Sequence, residues 1–594
     1  MPDPSPVAVV DVRFEHHRPG EARGIDETEP RLSWRFANAP PGFYQEEYEI
    51  QLSRTTLANG TTTELCSVRV ESPESQLVPW PLKQNGTAVI GSRETISARI
   101  KSARLHITSQ GLYEAEINGR RVGDYALAPG WTVYYSALAY QTYDVTEHLR
   151  AGANCIGVRV AEGWFSGRLG WEEGGKRNIY GNRTALLAQL EVTMSNGSTV
   201  TVATDKTWLA ARGPVRLAEI YDGEKYDATA EIPGWSSAGD LKTDEWTPVD
   251  VLPPLPTSVN LRRGSSEPVR RVQTIKPVAK ITTPSGKTVL DFGQNLVGFL
   301  RLRGLRGSRG HSILLSHAEV LEHGELGTRP LRQAKAQDKY TLRGGGGDET
   351  YEPRFTFHGF RYAQIDGWPA ESGDLEASVE AVMVHTDMEA RGSFACSDER
   401  LNRLFENVRW SMRGNFLSIP TDCPQRNERL GWTGDLAVFS PTANFLYGPF
   451  GLLRDWLAGL RADQRNLGGM PPLVSPDIWW KGGSPLGGRL PAAVWHDVVV
   501  LAPWAMWEAT GDIRILEEQY QSIQDWLKVI PRDKNLTHLW DLGSWQLGDW
   551  LDPDAPPENP AGAKTNAVLV ANAFLINSLD HASKIATLLG RAGA

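Results

Sequence analysis

Residues 421–435 read TDCPQRNERLGWTGD, and this stretch decides how the rest of the chain is interpreted. It has almost no apolar face to bury. Its charged and large aromatic members are Asp422, Arg426, Glu428, Arg429, Trp432 and Asp435. Pro424, Gly431 and Gly434 interrupt any regular element, so the pattern predicts a loop between two helices.

These residue types suit a sugar-binding site. A carboxylic acid can protonate a leaving oxygen, further carboxylates can hold hydroxyl groups, and the face of a Trp covers the apolar side of a pyranose. A salt-bridged surface loop would have the same composition. From composition alone, both interpretations stay open.

The order of the residues is more specific than their composition. Residues 422–435, DCPQRNERLGWTGD, closely resemble the signature of the inverting α-L-rhamnosidases, glycoside hydrolase family 78. The chain departs from that signature at Asn427, where an acid is common, and at Leu436, where a small residue is common. The resemblance implies an enzyme that cleaves terminal non-reducing α-L-rhamnose from glycosides or polysaccharides by inversion, without a cofactor or a metal ion.

The same resemblance assigns roles to individual residues. It implies that Glu428 is the general acid. The substrate-binding residues that it implies around this acid are Asp422, Arg426, Trp432 and Asp435. Further along, Trp495 and Trp550 resemble the family's subsite tryptophans by loop position, and Asp497 is expected to hold a sugar hydroxyl, although packing inside a helical barrel would also explain these residues. His496 stands where the family often has a small residue.

Length and composition indicate a multidomain globular protein. A chain of 594 residues is too long for one core and predicts about three to five domains. Its hydrophobic content of 40% and charged content of 22% are typical of globular proteins. A formal net charge of -9 disfavours nucleic-acid and anionic-membrane partners, because both need a basic patch.

The four cysteines, Cys66, Cys155, Cys396 and Cys423, form no CxxC pair, so neither a zinc site nor a disulfide framework is expected. Cys423 lies beside Asp422 but has no evident partner His, which favours a buried structural thiol over a nucleophile. The N-terminus lacks a basic region followed by an apolar region, and no run of about 18 apolar residues occurs. We therefore expect a cytoplasmic protein; its oligomeric state stays open.

Two kinds of hydrophobic periodicity divide the chain. Short alternating runs between Gly, Pro and Asn turns predict strands up to about residue 387, and a helical period begins after Ser397, which we predict as an N-cap. Further helical patterns lie near residues 434–446, 450–463, 493–510, 514–529 and 565–590. We therefore predict N-terminal β-sandwich domains followed by an (α/α)6-barrel catalytic domain, which is also the architecture that the resemblance implies.

The resemblance also implies the domain ranges. They are a fibronectin-like β-sandwich at 1–97, which becomes irregular after Ser75, a jelly-roll β-sandwich at 98–250, a concanavalin-like β-sandwich at 260–388, and the first half of the barrel at 389–594.

Two groups of side chains in the predicted sandwiches have more than one interpretation. The first, on a jelly-roll loop, is Trp164, Arg168 and Trp171. These residues could bind sugar or roof the site, but packing of one domain on another is the simpler explanation. The second group is His317, Glu319 and His358. We interpret it as structural, because buried polar groups in sandwiches are normally satisfied internally.

An inverting enzyme also needs a general base, which in the family is a glutamate in a late barrel loop. No residue of this chain matches it, and we do not nominate Glu508 or Asp552 in its place. About six helices are predicted where an (α/α)6 barrel has twelve, so we expect an incomplete barrel with an exposed apolar face and a C-terminally truncated chain. The alternative function is a rhamnoside-binding or vestigial protein without the base; a hydrolase or lyase for another sugar fits less well.

Overall fold

The computed structural model describes residues 8–17, 31–37, 45, 47–56, 61–71, 100–172, 175–238, 246–482 and 490–591. Its N-terminal part has two antiparallel strand pairs: β1 (Ala8–Phe14) with β2 (Leu32–Ala37), and β3 (Glu47–Thr56) with β4 (Thr61–Glu71). Residues 72–99, which contain the region predicted to be irregular, lie outside the described residues.

The second unit is a β-sandwich. Its elements are β5 (Ile100–Gln110), β6 (Leu112–Ile117), β7 (Arg120–Arg121), β8 (Ala137–Asp144), β9 (Ile156–Ala161), α1 (Gly163–Ser166), β10 (Ala185–Met194), β11 (Thr199–Ala203), β12 (Leu209–Ala210), β13 (Val215–Glu219), β14 (Gly223–Asp227), β15 (Thr247–Pro248) and β16 (Asn260–Arg263). A five-stranded sheet, in the order β11-β10-β5-β8-β16, faces the three-stranded sheet β7-β6-β9. Alternate apolar residues of β5 and β6, such as Leu105 and Ile117, form the core between them.

The third unit is built on one large sheet. Its elements are β17 (Val269–Ile275), β18 (Ala279–Thr282), β19 (Thr288–Leu305), β20 (Ser312–Ala318), β21 (Val320–Glu322), β22 (Glu325–Gly327), β23 (Gln337–Thr341), β24 (Glu349–Tyr351), β25 (His358–Asp366), α2 (Leu375–Ser378), β26 (Val379–Thr386) and β27 (Glu389–Ala390). The sheet runs β13-β14-β23-β20-β25-β19-β26-β17, with β18 and β24 also paired to β19. Because β13 and β14 belong to this sheet and β16 pairs with β8, the two units exchange strands across the predicted division at 250–260.

The last unit is helical, as predicted. Its elements are α3 (Glu399–Asn415), β28 (Phe416–Leu417), β29 (Ile419–Pro420), α4 (Thr433–Leu446), β30 (Tyr447–Gly448), α5 (Phe450–Asn466), α6 (Val498–Thr510), α7 (Ile513–Val529) and α8 (Ala567–Leu588). The N-cap of α3 was predicted one residue too early. Asp398, not Ser397, caps the helix, because its carboxylate accepts a hydrogen bond from Arg400 N at 2.9 Å.

The helices pack on the sandwiches through one continuous apolar cluster. It contains Trp164 of the second unit, Phe357 of the third and Trp526 of α7. On the other side, α8 exposes apolar side chains, with Leu569 64% and Ile576 67% exposed. This agrees with the predicted exposed apolar face. Within the described residues, no helix combines the length and the apolar character that crossing a membrane requires.

Candidate active site

The stretch 421–432 is a loop between β29 and α4, as predicted, and its end is pinned to a neighbouring loop. Gly431 O accepts a hydrogen bond from Ser475 N at 2.9 Å, and Trp432 forms an isolated β-bridge with Val474. A Cβ on Gly431 would lie 2.1 Å from the carbonyl oxygen of Ser475. Glycine is therefore required here, because only glycine permits this close approach of two backbones.

Arg429 fixes the middle of the loop to both β-sandwich units. Its side chain is buried, and Nη1 donates to the carbonyl oxygens of Ile220 and Phe357, each at 2.8 Å. The guanidinium also lies over the rings of Tyr221, at 5.3 Å, and Phe357, at 4.9 Å. Burial lowers the pKa of Arg429 to about 10. The loop is thus positioned by the sandwiches as well as by the helices.

Glu428 presents its carboxylate to three donors. Oε1 accepts from Trp432 Nε1 at 3.0 Å, and Oε2 accepts from Arg426 Nε and from Arg332 Nη1, both at 3.0 Å. The residue is only 8% exposed. The hydroxyl of Tyr221 donates to the main-chain carbonyl of Glu428. Backbone and side chain of Glu428 are therefore both fixed in position.

Two further carboxylates lie close to this acid. Asp422 Oδ2 accepts from Arg426 Nη2 at 3.1 Å, and its Oδ1 accepts from Leu430 N at 2.9 Å. Burial, with a contribution from the charge of Glu428, raises the pKa of Asp422 to about 8. Asp435, in the first turn of α4, is open to solvent, yet the surrounding protein and Glu428 raise its pKa to about 6. Burial and the neighbouring charge of Glu428 therefore favour the protonated form of both carboxyls.

An aromatic stack covers residues 421–432, which we call the acid loop. Trp171, from the second unit, stacks on Trp432 with ring centroids 5.7 Å apart and an interplanar angle of 25°. It also meets Trp479 edge-on at 5.3 Å. The other two residues of the same jelly-roll loop pack between elements: Trp164 is buried against Trp131, and Arg168 is paired with Asp222 at 2.6 Å. Only Trp171 of this group is placed to roof the site.

The structure brings the three predicted subsite tryptophans into one cluster. Trp495 is a buried member of it, and Trp432 and Trp550 pack against it as partly buried rings. A Cβ on Gly434 would lie 2.5 Å from the Trp495 ring, so the indole rests directly on the glycine of the first turn of α4. The cluster therefore forms an apolar wall that continues from the acid loop.

Asp497 was predicted to bind the sugar, but its carboxylate lies in the interior of the helical unit. It is completely buried, and three groups of the protein already donate to its carboxylate: Trp526 Nε1 at 3.0 Å, Ser578 Oγ at 2.8 Å and Val494 N at 2.8 Å. Burial raises its pKa, and the hydrogen bonds from Trp526 and Ser578 oppose that rise. With its oxygens satisfied inside the helical unit, Asp497 ties α6, α7 and α8 together and is not placed to hold a sugar hydroxyl.

His496, beside it, is also internal. It is 1% exposed, its Nδ1 accepts from Ala492 N at 3.1 Å, and its ring meets Trp526 edge-on. Burial lowers the pKa of His496 to about 3, so the imidazole is neutral. His496, which departs from the family pattern, is therefore a packed interior residue of the helical unit.

Two groups in the described residues bring possible metal-ligand atoms within 4.8 Å of one another. One is His317, Asp338 and His358, and the other is Asp422, Cys423 and Glu428. In the first, fully buried His358 is hydrogen-bonded to Asp338 at 3.1 Å, which fits the predicted structural role. In the second, Arg426 already provides a cation to both carboxylates. Burial raises the pKa of Cys423 well above its ordinary value, as expected for an inert thiol.

Arg332 and Tyr221 contact Glu428 but were not predicted as site residues. Arg332 precedes Glu428 by 96 positions and Tyr221 precedes it by 207, so no local motif connects them. Among the described residues we assign no general base.

Four family models match the chain in succession. They are a Rha78A-like N-terminal immunoglobulin domain at residues 9–101, an alpha-L-rhamnosidase N-terminal domain at 98–273, a bacterial alpha-L-rhamnosidase concanavalin-like domain at 281–385, and a bacterial alpha-L-rhamnosidase six-hairpin glycosidase domain at 389–593. Together these models span most of the chain.

Individual relatives agree with the models. The native α-L-rhamnosidase from Aspergillus terreus superposes with a TM-score of 0.91 at 43% identity, over 99% of this chain and 72% of that one. The chain is also 40% identical over 505 residues to the α-L-rhamnosidase of Streptomyces avermitilis, covering 84% of this chain and 46% of that protein. The crystal structure of the Streptomyces avermitilis enzyme complexed with L-rhamnose gives a TM-score of 0.75.

A second curated relative, the α-L-rhamnosidase of Formosa agariphila, is 36% identical over 536 residues, which are 87% of this chain and 55% of that protein. The chain thus spans about half the length of the curated relatives it matches.

Proposed function

The chain belongs to the α-L-rhamnosidase family, glycoside hydrolase family 78, and on this premise we propose that it hydrolyses terminal non-reducing α-L-rhamnose residues of rhamnosides with Glu428 as general acid. The observation that carries the proposal is the setting of Glu428. The residue is only 8% exposed, and its carboxylate is held by Trp432, Arg426 and Arg332 in a loop packed against three units of the fold.

The surroundings of Glu428 support a sugar as the substrate. Trp432 and Trp171 offer indole surface for the apolar face of a deoxy-pyranose, and Asp435 is open to solvent at the start of α4. Burial raises the pKa of Asp422, which favours a protonated carboxyl, and such a group both donates a hydrogen bond to a hydroxyl and accepts one. Arg426, between Asp422 and Glu428, fixes the spacing of the two carboxyls.

We further propose inversion. In that mechanism Glu428 protonates the glycosidic oxygen while a base on the opposite face of the sugar activates water, and the two carboxyl groups stand roughly 6.5–9.5 Å apart. The identity of that base is left open. The L-rhamnose complex of the Streptomyces avermitilis relative supports rhamnose as the sugar, and the leaving group is proposed only as the remainder of a plant glycoside or polysaccharide.

The test is hydrolysis of aryl α-L-rhamnosides by the purified 594-residue chain, with Glu428→Gln beside it. Glu319→Gln is the matched control, because Glu319 accepts a hydrogen bond from Asn295 in the large sheet of the third unit. For a poor leaving group the Glu428→Gln variant should lose about 10²–10⁴-fold in kcat, and for an activated leaving group much less. NMR of the first released sugar should show the β-anomer. Equal turnover by Glu428→Gln and the wild type would contradict the assignment, and first release of the α-anomer would contradict inversion.

A further inference from the structure

Arg332 belongs to the third unit, and its guanidinium contacts Glu428 in the acid loop. It directly follows the short 3-10 helical turn Arg329–Leu331, and its Nη1 lies 3.0 Å from Glu428 Oε2. The side chain is 50% exposed, whereas that of Glu428 is 10% exposed. Arg332 therefore contacts solvent with one part of its side chain and the buried carboxylate of Glu428 with another.

The backbone of Arg332 is strained. Its φ is 54° and its ψ is -110°, a conformation that side-chain-bearing residues rarely adopt. Its neighbours hold it there. Gln333 N donates to Asn427 Oδ1 at 3.0 Å, Lys335 N donates to Asp222 Oδ1 at 3.3 Å, and Leu331 is buried. Strain of this kind persists only when the surroundings impose it, and it concentrates at functional sites.

The two arginines on Glu428 are not equivalent. Arg426 bonds both Glu428 and Asp422, so its charge is divided between two carboxyls. Among the described residues, Arg332 forms an ion pair with Glu428 alone. A cation directed at one carboxylate favours its ionised form, which is the form that remains after a proton has been given away.

We propose that Arg332 is a positioning residue for the acid: the third unit uses it to orient the Glu428 carboxyl and to stabilise the anion left after proton transfer. This inference rests on the proposed role of Glu428 as general acid. The concanavalin-like unit then takes part in the chemistry, because the Glu428 carboxyl is oriented correctly only when that unit is packed against the 421–432 loop.

The experiment compares Arg332→Gln, Arg332→Lys and Arg329→Gln in the full chain. Arg329 lies three residues earlier in the same turn, is 83% exposed and pairs with Glu322 on the surface, so it is the matched control. For an aryl rhamnoside with a poor leaving group, Arg332→Gln should lower kcat about tenfold or more and change KM much less. The alkaline limb of its pH–rate profile should move to higher pH, because loss of the cation favours the protonated carboxyl.

Arg332→Lys should restore the alkaline limb at least in part, since it restores the charge without the planar fork. Arg329→Gln should behave as the wild type. An unshifted alkaline limb in Arg332→Gln, or an equal loss for good and poor leaving groups, would overturn the inference, because a merely structural role predicts both.

Thermal unfolding tests the contact between Arg332 and Glu428 without relying on turnover. Arg332→Gln, Glu428→Gln and the double variant form a cycle in which the shifts in Tm should be non-additive if the two side chains interact. If the wild-type chain proves inactive on rhamnosides, the proposed function fails and this cycle alone decides whether Arg332 and Glu428 are coupled. Additive shifts would overturn the pairing.

Discussion

Residues 421–432 and residues 491–497 meet at the same aromatic wall, and each carries a carboxylate that the sequence assigned to the candidate site: Glu428 as general acid and Asp497 as a sugar-binding residue. In the first loop, three donors hold the carboxylate of Glu428, and the residue keeps 8% exposure to solvent. In the second, Asp497 is entirely enclosed, and its partners Trp526 and Ser578 belong to other helices. The difference teaches that a polar residue in a loop is a candidate for function only when a ligand can still reach it.

Of the variants at the contact between the two loops and their aromatic wall, Gly434→Ala should have the largest effect. A Cβ there would lie 2.5 Å from the Trp495 ring, so the indole must move or α4 must shift. We expect a loss of stability of about 1–3 kcal/mol and a clear loss of affinity for L-rhamnose, measured by thermal unfolding and calorimetry. Gly213→Ala, where a Cβ meets no atom within 4 Å, is the control. Unchanged rhamnose affinity in Gly434→Ala would remove Trp495 from the wall of the site.

A smaller effect is expected from Trp171→Ala, which removes the roof contributed by the second unit. The stack on Trp432 is of a kind worth about 0.5–1.5 kcal/mol. KM for an aryl rhamnoside should therefore rise up to about tenfold while kcat changes little. Trp208→Ala, at an exposed contact with Ala203 O in the same unit, is the control and should leave KM unchanged. If Trp171→Ala lowers kcat with KM unchanged, the roof does not act in ground-state binding.

The smallest expected effect is a pH dependence of stability that originates in Asp422. Its pKa is raised from an ordinary value of 3.8 to about 8 in the folded chain, so the native state binds more protons over that interval. The free energy of unfolding should therefore fall as pH rises from about 4 to about 8. Asp422→Asn, which keeps an acceptor for Leu430 N, should show a flatter decline of Tm between pH 5 and 8.

Asp250→Asn, at a side chain that is 78% exposed, should keep the wild-type slope. A wild-type slope in Asp422→Asn as well would mean that Asp422 is ionised in the native state and that the raised pKa is wrong.

Local sequence patterns were sufficient for the architecture. The change from alternating strands to helical spacing near Ser397 marks the start of the helical unit, with the cap at Asp398. The prolines and glycines of the acid loop correctly predicted an interruption between α3 and α4. Strand exchange was not predictable in the same way. Whether β13 and β14 complete one sheet or another depends on edges formed by strands more than 100 residues away, such as β23.

In the candidate site, too, contacts within one short motif were predictable and contacts between distant residues were not. The grouping of Asp422, Arg426, Glu428 and Trp432 is written in one short motif, and the structure brings these side chains together. Arg332 could not be found in this way, because its contact with Glu428 exists only after the third unit has folded against the loop. Asp497 was misplaced for the converse reason. A local motif does not show that distant Trp526 and Ser578 have already satisfied a carboxylate.

The most direct measurement compares Glu428→Gln and Asp497→Asn by two readouts, turnover of an aryl rhamnoside with a poor leaving group and thermal unfolding. Glu428→Gln should lose turnover and keep most of its stability. Asp497→Asn should turn an amide NH2 towards Val494 N and lose about 1–3 kcal/mol of stability, while its folded fraction keeps its kcat. The opposite outcome, a stable but inactive Asp497→Asn beside an active Glu428→Gln, would contradict the account.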